Sequence, residues 1–133
     1  MILIDSSVLI DITESQTGWA QWSEKQVLQA KRLGNVAINL IIYAEISRDF
    51  SNKSQLDMFL SDVGISIVPM DDRCAFAAAR AHDAYRAAGG TRQATLPDFF
   101  IGAQASVQGY TLLTRDAGRI RTYFPDVSLI TPK

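Results

Sequence analysis

The chain has 133 residues, of which 47% are hydrophobic and 20% are charged, and its formal net charge is −1. This length is enough for one domain with one core, and we expect a single domain over residues 1–133. Because the charges are nearly balanced, a general electrostatic attraction to nucleic acid is excluded, and any such contact needs a local basic patch. The single cysteine, Cys74, excludes an internal disulfide.

Neither a membrane segment nor a signal peptide is expected. No apolar run approaches the roughly 18 residues that a transmembrane helix needs. The first residues lack the basic start of a signal peptide, and Asp5 interrupts their apolar stretch. We therefore expect a cytoplasmic protein, in which Cys74 is a small buried side chain.

Short apolar runs alternate with helical patterns along the chain. In chain order we predict strand Ile2–Ile4, helices Ser6–Ile12 and Thr17–Leu33, strand Val36–Ile38, helix Leu40–Arg48 capped by Asn39, helix Ser54–Val63, strand Ile65–Val68, an Ala-rich helix from its cap Asp71 to Gly89-Gly90, a polar loop Gly90–Thr95, helix Leu96–Gln108, strand Thr111–Thr114, a helical turn Gly118–Tyr123 and strand Val127–Ile130. The alternation indicates an α/β fold with a parallel sheet covered on both faces.

Four carboxylates stand where an unpaired buried charge would be costly. They are Asp5 after the first strand, Glu45 within the run Leu40–Ile46, Asp98 before Phe99-Phe100, and Asp116 after the fourth strand. In open parallel sheets, sites form beyond the carboxyl ends of strands. If the fold gathers these acids, their repulsion requires a cation, such as a divalent metal held by oxygens. That arrangement is the outline of a metal-dependent phosphodiester hydrolase.

Each acid also has a structural role open to it. These roles are a strand-end cap for Asp5, an ion pair with Arg48 for Glu45, a capping box with Thr95 for Asp98, and a turn residue for Asp116. The four positions together, rather than any one of them, indicate a metal site.

The sequence contains one histidine, His82, which limits the catalytic mechanisms and metal sites that are possible. On its predicted helix we expect it to be a surface or partly packed side chain. A single histidine excludes nuclease mechanisms that need two, and zinc sites built on several His or Cys ligands. The sequence contains no Gly-x-Ser-x-Gly elbow, no Gly-x-x-x-x-Gly-Lys loop and no Gly-x-Gly-x-x-Gly motif. The chemistry that remains is that of carboxylates and metal.

Several segments, in order, resemble the motifs of PIN-domain nucleases, and most nearly those of VapC-type toxins from bacterial toxin–antitoxin pairs. They are Met1–Asp11, Tyr43–Ile46, Leu96–Ala103 and Leu113–Asp116, and the tail from Tyr123 to Ile130 is also similar. The resemblance spans nearly the whole chain, and the order of its motifs makes it specific. It implies a PIN-like three-layer α/β/α fold with a central parallel sheet of about five strands.

The resemblance also implies roles for individual residues. The family's acidic positions, which are catalytic and hold Mg²⁺ or Mn²⁺, are matched by Asp5, Glu45, Asp98 and Asp116. Its supporting hydroxyl positions are matched by Ser6, Ser7 and Thr114. The implied activity is hydrolysis of RNA phosphodiester bonds, in which the ion makes water a better nucleophile. The implied partners are RNA, a small antitoxin whose tail blocks the site, and a second copy of the chain in a homodimer.

Two further sets of residues are candidates for contacts with partners. Because arginine is well suited to phosphate, we predict that Arg115, Arg119 or Arg121 guides the RNA backbone. The pair Trp19 and Trp22 is a candidate surface for self-association, and packing in the core is the alternative.

Other functions remain open at this point. A non-catalytic binding or signalling module would also place acids at a sheet edge. A response-regulator-like module usually has an acidic pair after its first strand and a late lysine, whereas Asp5 has no acidic neighbour and the only late lysine is Lys133. A PIN ribonuclease that processes RNA without being a toxin is a third alternative, and a short adjacent antitoxin gene would argue against it.

Overall fold

The computed structural model describes residues 1–16, 18–90 and 94–132. These residues contain a five-stranded sheet in the order β3-β2-β1-β4-β5, with every neighbouring pair parallel. The strands are β1 (Ile2–Ile4), β2 (Val36–Ile38), β3 (Ile65–Ile67), β4 (Thr111–Leu113) and β5 (Leu129–Ile130). The predicted α/β fold with a parallel sheet of about five strands is confirmed.

Helices connect the strands and flank the sheet. They are α1 (Ser6–Glu14), α2 (Ala20–Leu33), α3 (Leu40–Ile46), α4 (Lys53–Val63), α5 (Asp72–Ala87), α6 (Leu96–Gln108) and α7 (Gly118–Tyr123), with a 3₁₀ turn over Ser47–Asp49. The predicted caps are present, since Asn39 accepts from the Ile42 N–H and Asp71 from the N–H groups of Arg73 and Cys74. No described helix is long and apolar enough to cross a membrane.

Several boundaries differ from the sequence-based prediction. Helix α3 ends at Ile46 because the chain tightens into the 3₁₀ turn, where the Ser47 hydroxyl bonds the Tyr43 carbonyl over 2.6 Å. Strand β5 is shorter than predicted because Val127 belongs to a turn, in which its N–H bonds the Phe124 carbonyl. Helix α2 begins at Ala20, and Thr17 and residues 91–93 of the predicted loop lie outside the described residues.

The core lies on both sides of the central strand β1 and of its neighbour β2. All residues of β1 and β2 are buried, as expected for strands covered on both faces. Helix side chains pack against them, among them the fully buried Val8, Leu9, Ile42, Ile46 and Phe99. The edge strand β3 buries only its first residue. The sequence therefore places its most continuous apolar runs at the centre of the sheet.

The strand order creates a crevice between β1 and β4. From β1 the chain moves outward through β2 to β3, and it then returns to the other side of β1 to form β4 and β5. Connections therefore diverge at the carboxyl ends of β1 and β4, which is where open α/β sheets form their ligand sites. Asp5 follows β1 and Thr114 follows β4, so both residues stand at this point.

Candidate active site

A cavity of about 300 Å³ opens at the carboxyl ends of β1 and β4. We call it the acidic cavity; its lining residues are Asp5, Ser6, Ser7, Ile10, Glu45, Asp98, Ile101, Leu112, Thr114, Asp116, Arg119 and Ile120. All four predicted acids and all three predicted hydroxyl residues line it. The fold thus gathers acids that are up to 111 positions apart in sequence, since both Asp5 and Asp116 line the cavity.

Asp5 is held in place by three hydroxyl groups. Its Oδ2 accepts hydrogen bonds from Thr114 over 2.7 Å and from Ser7 over 3.0 Å, and its Oδ1 has a long contact of 3.5 Å with Ser6. Burial raises the pKa of Asp5 above its ordinary value, although these hydrogen bonds favour the charged form. The nearby charge of Asp116 raises that pKa further. Asp5 is therefore a well-oriented carboxylate that forms no ion pair with any described residue.

Glu45 extends from α3 into the same cavity. Its Oε1 is buried and has no hydrogen-bond partner among the described residues. Burial is the main cause of its raised pKa, and the charges of Asp5 and Asp98 add to it, while the Ser6 hydroxyl acts in the opposite direction. The structure shows no ion pair between Glu45 and Arg48, so Glu45 faces the other acids instead.

Asp98 lies in the first turn of α6 and has two roles. Its Oδ2 accepts from the Thr95 N–H over 2.6 Å and from the Thr95 hydroxyl over 3.2 Å. The capping box that the sequence predicted is therefore present, and Asp98 lines the acidic cavity as well. The capping bonds fix the carboxylate at the cavity wall, so the two roles are compatible.

Asp116 is the most exposed of the four acids. Its backbone N–H donates to the Thr114 hydroxyl over 3.0 Å, and the same hydroxyl donates to Asp5. Thr114 thus joins the segment after β4 to the acid after β1. Because of this bridge, the positions of Asp5 and Asp116 depend on one small side chain.

The three predicted RNA-contacting arginines lie in different places. Arg119 lines the acidic cavity, with its guanidinium 5.8 Å from the ring centre of Phe99 and 6.0 Å from that of Tyr85. Arg115 forms a bidentate ion pair with the buried Asp11 and is not part of the lining. Arg121 is exposed and also lies outside the lining.

The remaining candidates occupy ordinary packing positions. His82 is half-buried and packs edge-on against Phe99 at 5.3 Å between ring centres, in agreement with the predicted partly packed side chain. Cys74 is free and buried, as expected. Trp22 packs against the core, and Trp19 contacts it edge-on while covering the guanidinium of Arg115.

Two buried polar contacts near the site were missed at the sequence level. Asn39 donates to Gln104 over 2.9 Å, which joins the helix of Glu45 to the helix of Asp98. Asp11 is fully buried and binds Arg115 and Ser23. The sequence does indicate that Asp11 is unusual, because it is an acid within an apolar run, but the motif that contains it does not identify its partners.

The donor set of the acidic cavity fits a hydrated divalent ion. It consists of oxygens, it includes the unpartnered Glu45 Oε1, and neighbouring acids raise the pKa values of Asp5 and Glu45. No three Asp, Glu, His or Cys side chains of the described chain already form a complete ligand set. Mg²⁺ takes only one or two carboxylates and keeps several waters. A cavity of about 300 Å³ has room for them, since a water occupies about 30 Å³.

Solved structures share this fold. VapBC2 from Rickettsia felis, bound to a DNA fragment from its promoter, is 18% identical over 100% of both chains, with a TM-score of 0.75. A toxin–antitoxin complex from Klebsiella pneumoniae is 23% identical over 100% of this chain and 98% of that chain, with a TM-score of 0.67. VapBC-1 from nontypeable Haemophilus influenzae is 13% identical over 98% of both, with a TM-score of 0.71.

Sequence comparison assigns the family directly. No curated protein matches the chain significantly. The model of the PIN domain, however, matches residues 2–125, which include every acid of the cavity. This match implies nuclease activity. The chain belongs to the PIN domain family.

Proposed function

We propose that this chain is a Mg²⁺- or Mn²⁺-dependent endoribonuclease that acts as the toxin of a type II toxin–antitoxin pair. The observation that carries the proposal is the acidic cavity, which is lined by four carboxylates. In the described chain, none of the four forms an ion pair with a lysine or arginine. Carboxylates gathered in this way repel one another, and a divalent cation held by their oxygens would relieve that repulsion.

The chain's own residues would hold and orient the ion. Ser7 and Thr114 occupy Oδ2 of Asp5, which leaves Oδ1 as the oxygen better able to bind a metal. Glu45 would contribute its unpartnered Oε1, and Asp98 would hold a water of the ion through the oxygen that Thr95 does not bind. When bound, a divalent ion promotes the ionisation of water and neutralises charge that develops on the phosphate. His82, the single histidine of the sequence, lies outside the lining among the described residues and takes no part in this site.

Arg119 is the basic residue best placed to hold the RNA backbone. Among the described residues it is the one arginine in the lining of the acidic cavity, and its guanidinium lies near the rings of Tyr85 and Phe99. A positive charge beside the acids would bind a phosphate that approaches the metal. Arg115 is less suited to this role because the edge of its guanidinium formed by Nε and one terminal nitrogen is bound to Asp11 and because it lies outside the lining.

The toxin role rests on relatives with the same fold. The structures from Rickettsia felis, Klebsiella pneumoniae and Haemophilus influenzae are described as VapBC or toxin–antitoxin complexes. By this likeness the partners would be a cognate antitoxin and a second copy of the chain, in the cytoplasm. Trp22 packs against the core, whereas Trp19 remains 37% exposed and is the member of the pair that a dimer could use.

Cleavage of a cellular RNA pool tests the enzymatic part of the proposal. The purified chain should cut RNA with Mg²⁺ or Mn²⁺, stop with EDTA, and recover when the ion is restored. Asp5→Ala, Glu45→Ala and Asp98→Ala should each remove most activity and combine non-additively, because the acids act as a unit. Asp83→Asn and His82→Ala are controls outside the cavity and should remain active. Cleavage that survives EDTA, or that needs His82, contradicts the mechanism.

Growth of cells that express the chain tests the toxin part. Induction should arrest growth, the Asp98→Asn variant should not, and co-expression of a short adjacent gene should restore growth. An active ribonuclease that leaves growth unaffected would instead favour an RNA-processing enzyme.

A further inference from the structure

Asp11 is a buried carboxylate that lies outside the acidic cavity. It is fully buried on α1, where Ser23 of α2 donates to its Oδ2 over 2.7 Å. Arg115 donates to the same oxygen from Nε over 2.6 Å and to Oδ1 from a terminal nitrogen over 2.9 Å. The ring of Trp19 lies 5.4 Å from the guanidinium. These contacts join α1, α2 and the segment that follows β4.

Stability alone does not account for this ion pair. Asp11 is fully buried and the Arg115 side chain is 27% exposed, so both charges lose much of their hydration, and their attraction usually only compensates for that loss. Apolar side chains of similar volume would serve a core equally well. An apolar contact would not fix an orientation, whereas the guanidinium fork donates its two N–H groups to a carboxylate in one planar arrangement. The pair therefore fixes where the main chain of Arg115 lies.

That main chain belongs to the wall of the acidic cavity. Arg115 lies between Thr114 and Asp116, and its own N–H donates to the Ser7 hydroxyl over 3.3 Å. Ser7 and Asp11 are four residues apart on α1, so they lie on the same helix face. The segment after β4 is thus attached to α1 twice, once through the Arg115 main chain and once through its side chain.

We propose that the Asp11–Arg115 ion pair is a positioning device for the metal-binding acids. It holds the segment 114–116 against α1, so that the Thr114 hydroxyl reaches Asp5 and Asp116 stands at the cavity mouth. Arg115 acts through these residues and does not contact the phosphate. The inference rests on the proposed metal-dependent function, but its structural half concerns the metal-free protein as well.

Arg115→Lys tests the pair, because lysine keeps the charge and loses the planar fork. In the metal-free protein, the backbone N–H of Asp116 should exchange with solvent about 10-fold faster, as measured by NMR. Mn²⁺ affinity by calorimetry should fall about 10- to 100-fold, as for other residues that support metal ligands. In RNA cleavage, kcat should fall by a similar factor while KM changes less than about twofold, because no phosphate contact is lost. The matched control is Arg86→Lys, which changes an exposed arginine on α5 and should leave all of these quantities unchanged.

A double variant, Asp11→Leu with Arg115→Met, distinguishes an effect on folding from an effect on the position of the metal-binding acids. It removes both charges, so its melting temperature should be closer to wild type than that of Arg115→Met alone. Its Mn²⁺ affinity should remain low. Recovery of both stability and affinity overturns the proposal, because charge neutralisation alone would then suffice. If the double variant does not fold, Arg115→Lys decides.

The failures of the two proposals are distinguishable. If the wild-type chain binds no Mn²⁺, the metal-dependent function is wrong, and exchange at Asp116 in the metal-free protein still decides the positioning role. If the wild type binds Mn²⁺ and Arg115→Lys binds it equally well with unchanged exchange at Asp116, the positioning role is wrong. An Arg115→Lys variant that raises KM and leaves kcat unchanged also overturns it, since that pattern indicates a substrate contact.

Discussion

The Thr114 hydroxyl donates to Oδ2 of Asp5 over 2.7 Å, although the two residues are 109 positions apart in the chain. The bond crosses the crevice between β1 and β4, where the strand order reverses. It also places a neutral donor against a carboxylate whose pKa is raised by burial. The acidic cavity is therefore assembled by the topology of the sheet and is secured by small hydroxyl groups.

Thr114→Val should loosen this connection with little change in side-chain shape. A hydrogen bond to a charged group contributes about 1.5–3 kcal/mol, and its loss leaves Asp5 with Ser7 as its remaining close donor. We expect Mn²⁺ affinity to fall about 10- to 100-fold by calorimetry. Thr114→Ser retains the hydroxyl and should bind Mn²⁺ nearly as wild type does. Equal affinity in all three proteins would mean that the hydroxyl has no part in metal binding.

The acids should make the metal-free protein less stable at neutral pH. The pKa values of Asp5 and Glu45 are raised in the folded state, chiefly by burial, and unfolded Asp and Glu titrate near about 3.9 and 4.3. A raised folded pKa means that the native state binds more protons, so stability falls as pH rises from about 4 through the folded pKa. In EDTA, Asp5→Asn should therefore raise the melting temperature at pH 7 more than at pH 4.

Thermal unfolding across that pH range measures this effect. Each kcal/mol gained should raise the melting temperature by about 2–8 °C for a domain of this size. Asp83→Asn removes an exposed acid on α5 and serves as the matched control. An Asp5→Asn variant that is less stable than wild type at pH 7 without metal would contradict the role of charge repulsion.

Much of the fold could be predicted because its strands are short and continuous apolar runs. A parallel strand that is covered on both faces has no polar side, so Ile2–Ile4 and Val36–Ile38 were recognisable without any alternation. The shorter β5 was less recognisable, because Val127 is apolar and buried but lies in a turn. Hydrophobicity alone does not distinguish a buried turn residue from a strand residue.

The acids of the site were predictable for a related reason, whereas their supports were not. Asp5 and Glu45 stand beside apolar residues, and an unpaired carboxylate there is conspicuous. The sequence predicts an RNA contact for Arg115 because arginine suits phosphate. It does not show that Arg115 pairs with Asp11, which lies 104 positions earlier in the chain. The Asn39–Gln104 contact was equally hidden, since its partners are 65 positions apart. Pairings of this kind depend on the three-dimensional arrangement of the helices.

Gln104→Met should separate the helices that carry Glu45 and Asp98. Gln104 is fully buried, accepts from Asn39 over 2.9 Å and donates to the Pro69 carbonyl over 3.1 Å. Methionine has a similar length but leaves the Asn39 amide without its acceptor, which should cost about 1–3 kcal/mol in the free energy of unfolding. Urea denaturation measures this loss, and Mn²⁺ affinity should also fall. The control Gln108→Met alters the more exposed end of the same network and should cost less.

Arg119 and Arg121 form a matched pair for testing contact with RNA. They lie two residues apart on α7, but only Arg119 lines the acidic cavity. Arg119→Gln should weaken RNA binding by the catalytically inactive Asp98→Asn protein about 10- to 100-fold, which corresponds to one charged hydrogen bond. The slope of log affinity against log salt should also become shallower by about 1, because one fewer phosphate is neutralised. Arg121→Gln should leave both quantities near those of the parent, and equal effects of the two substitutions would show that general charge, rather than the cavity, binds the backbone.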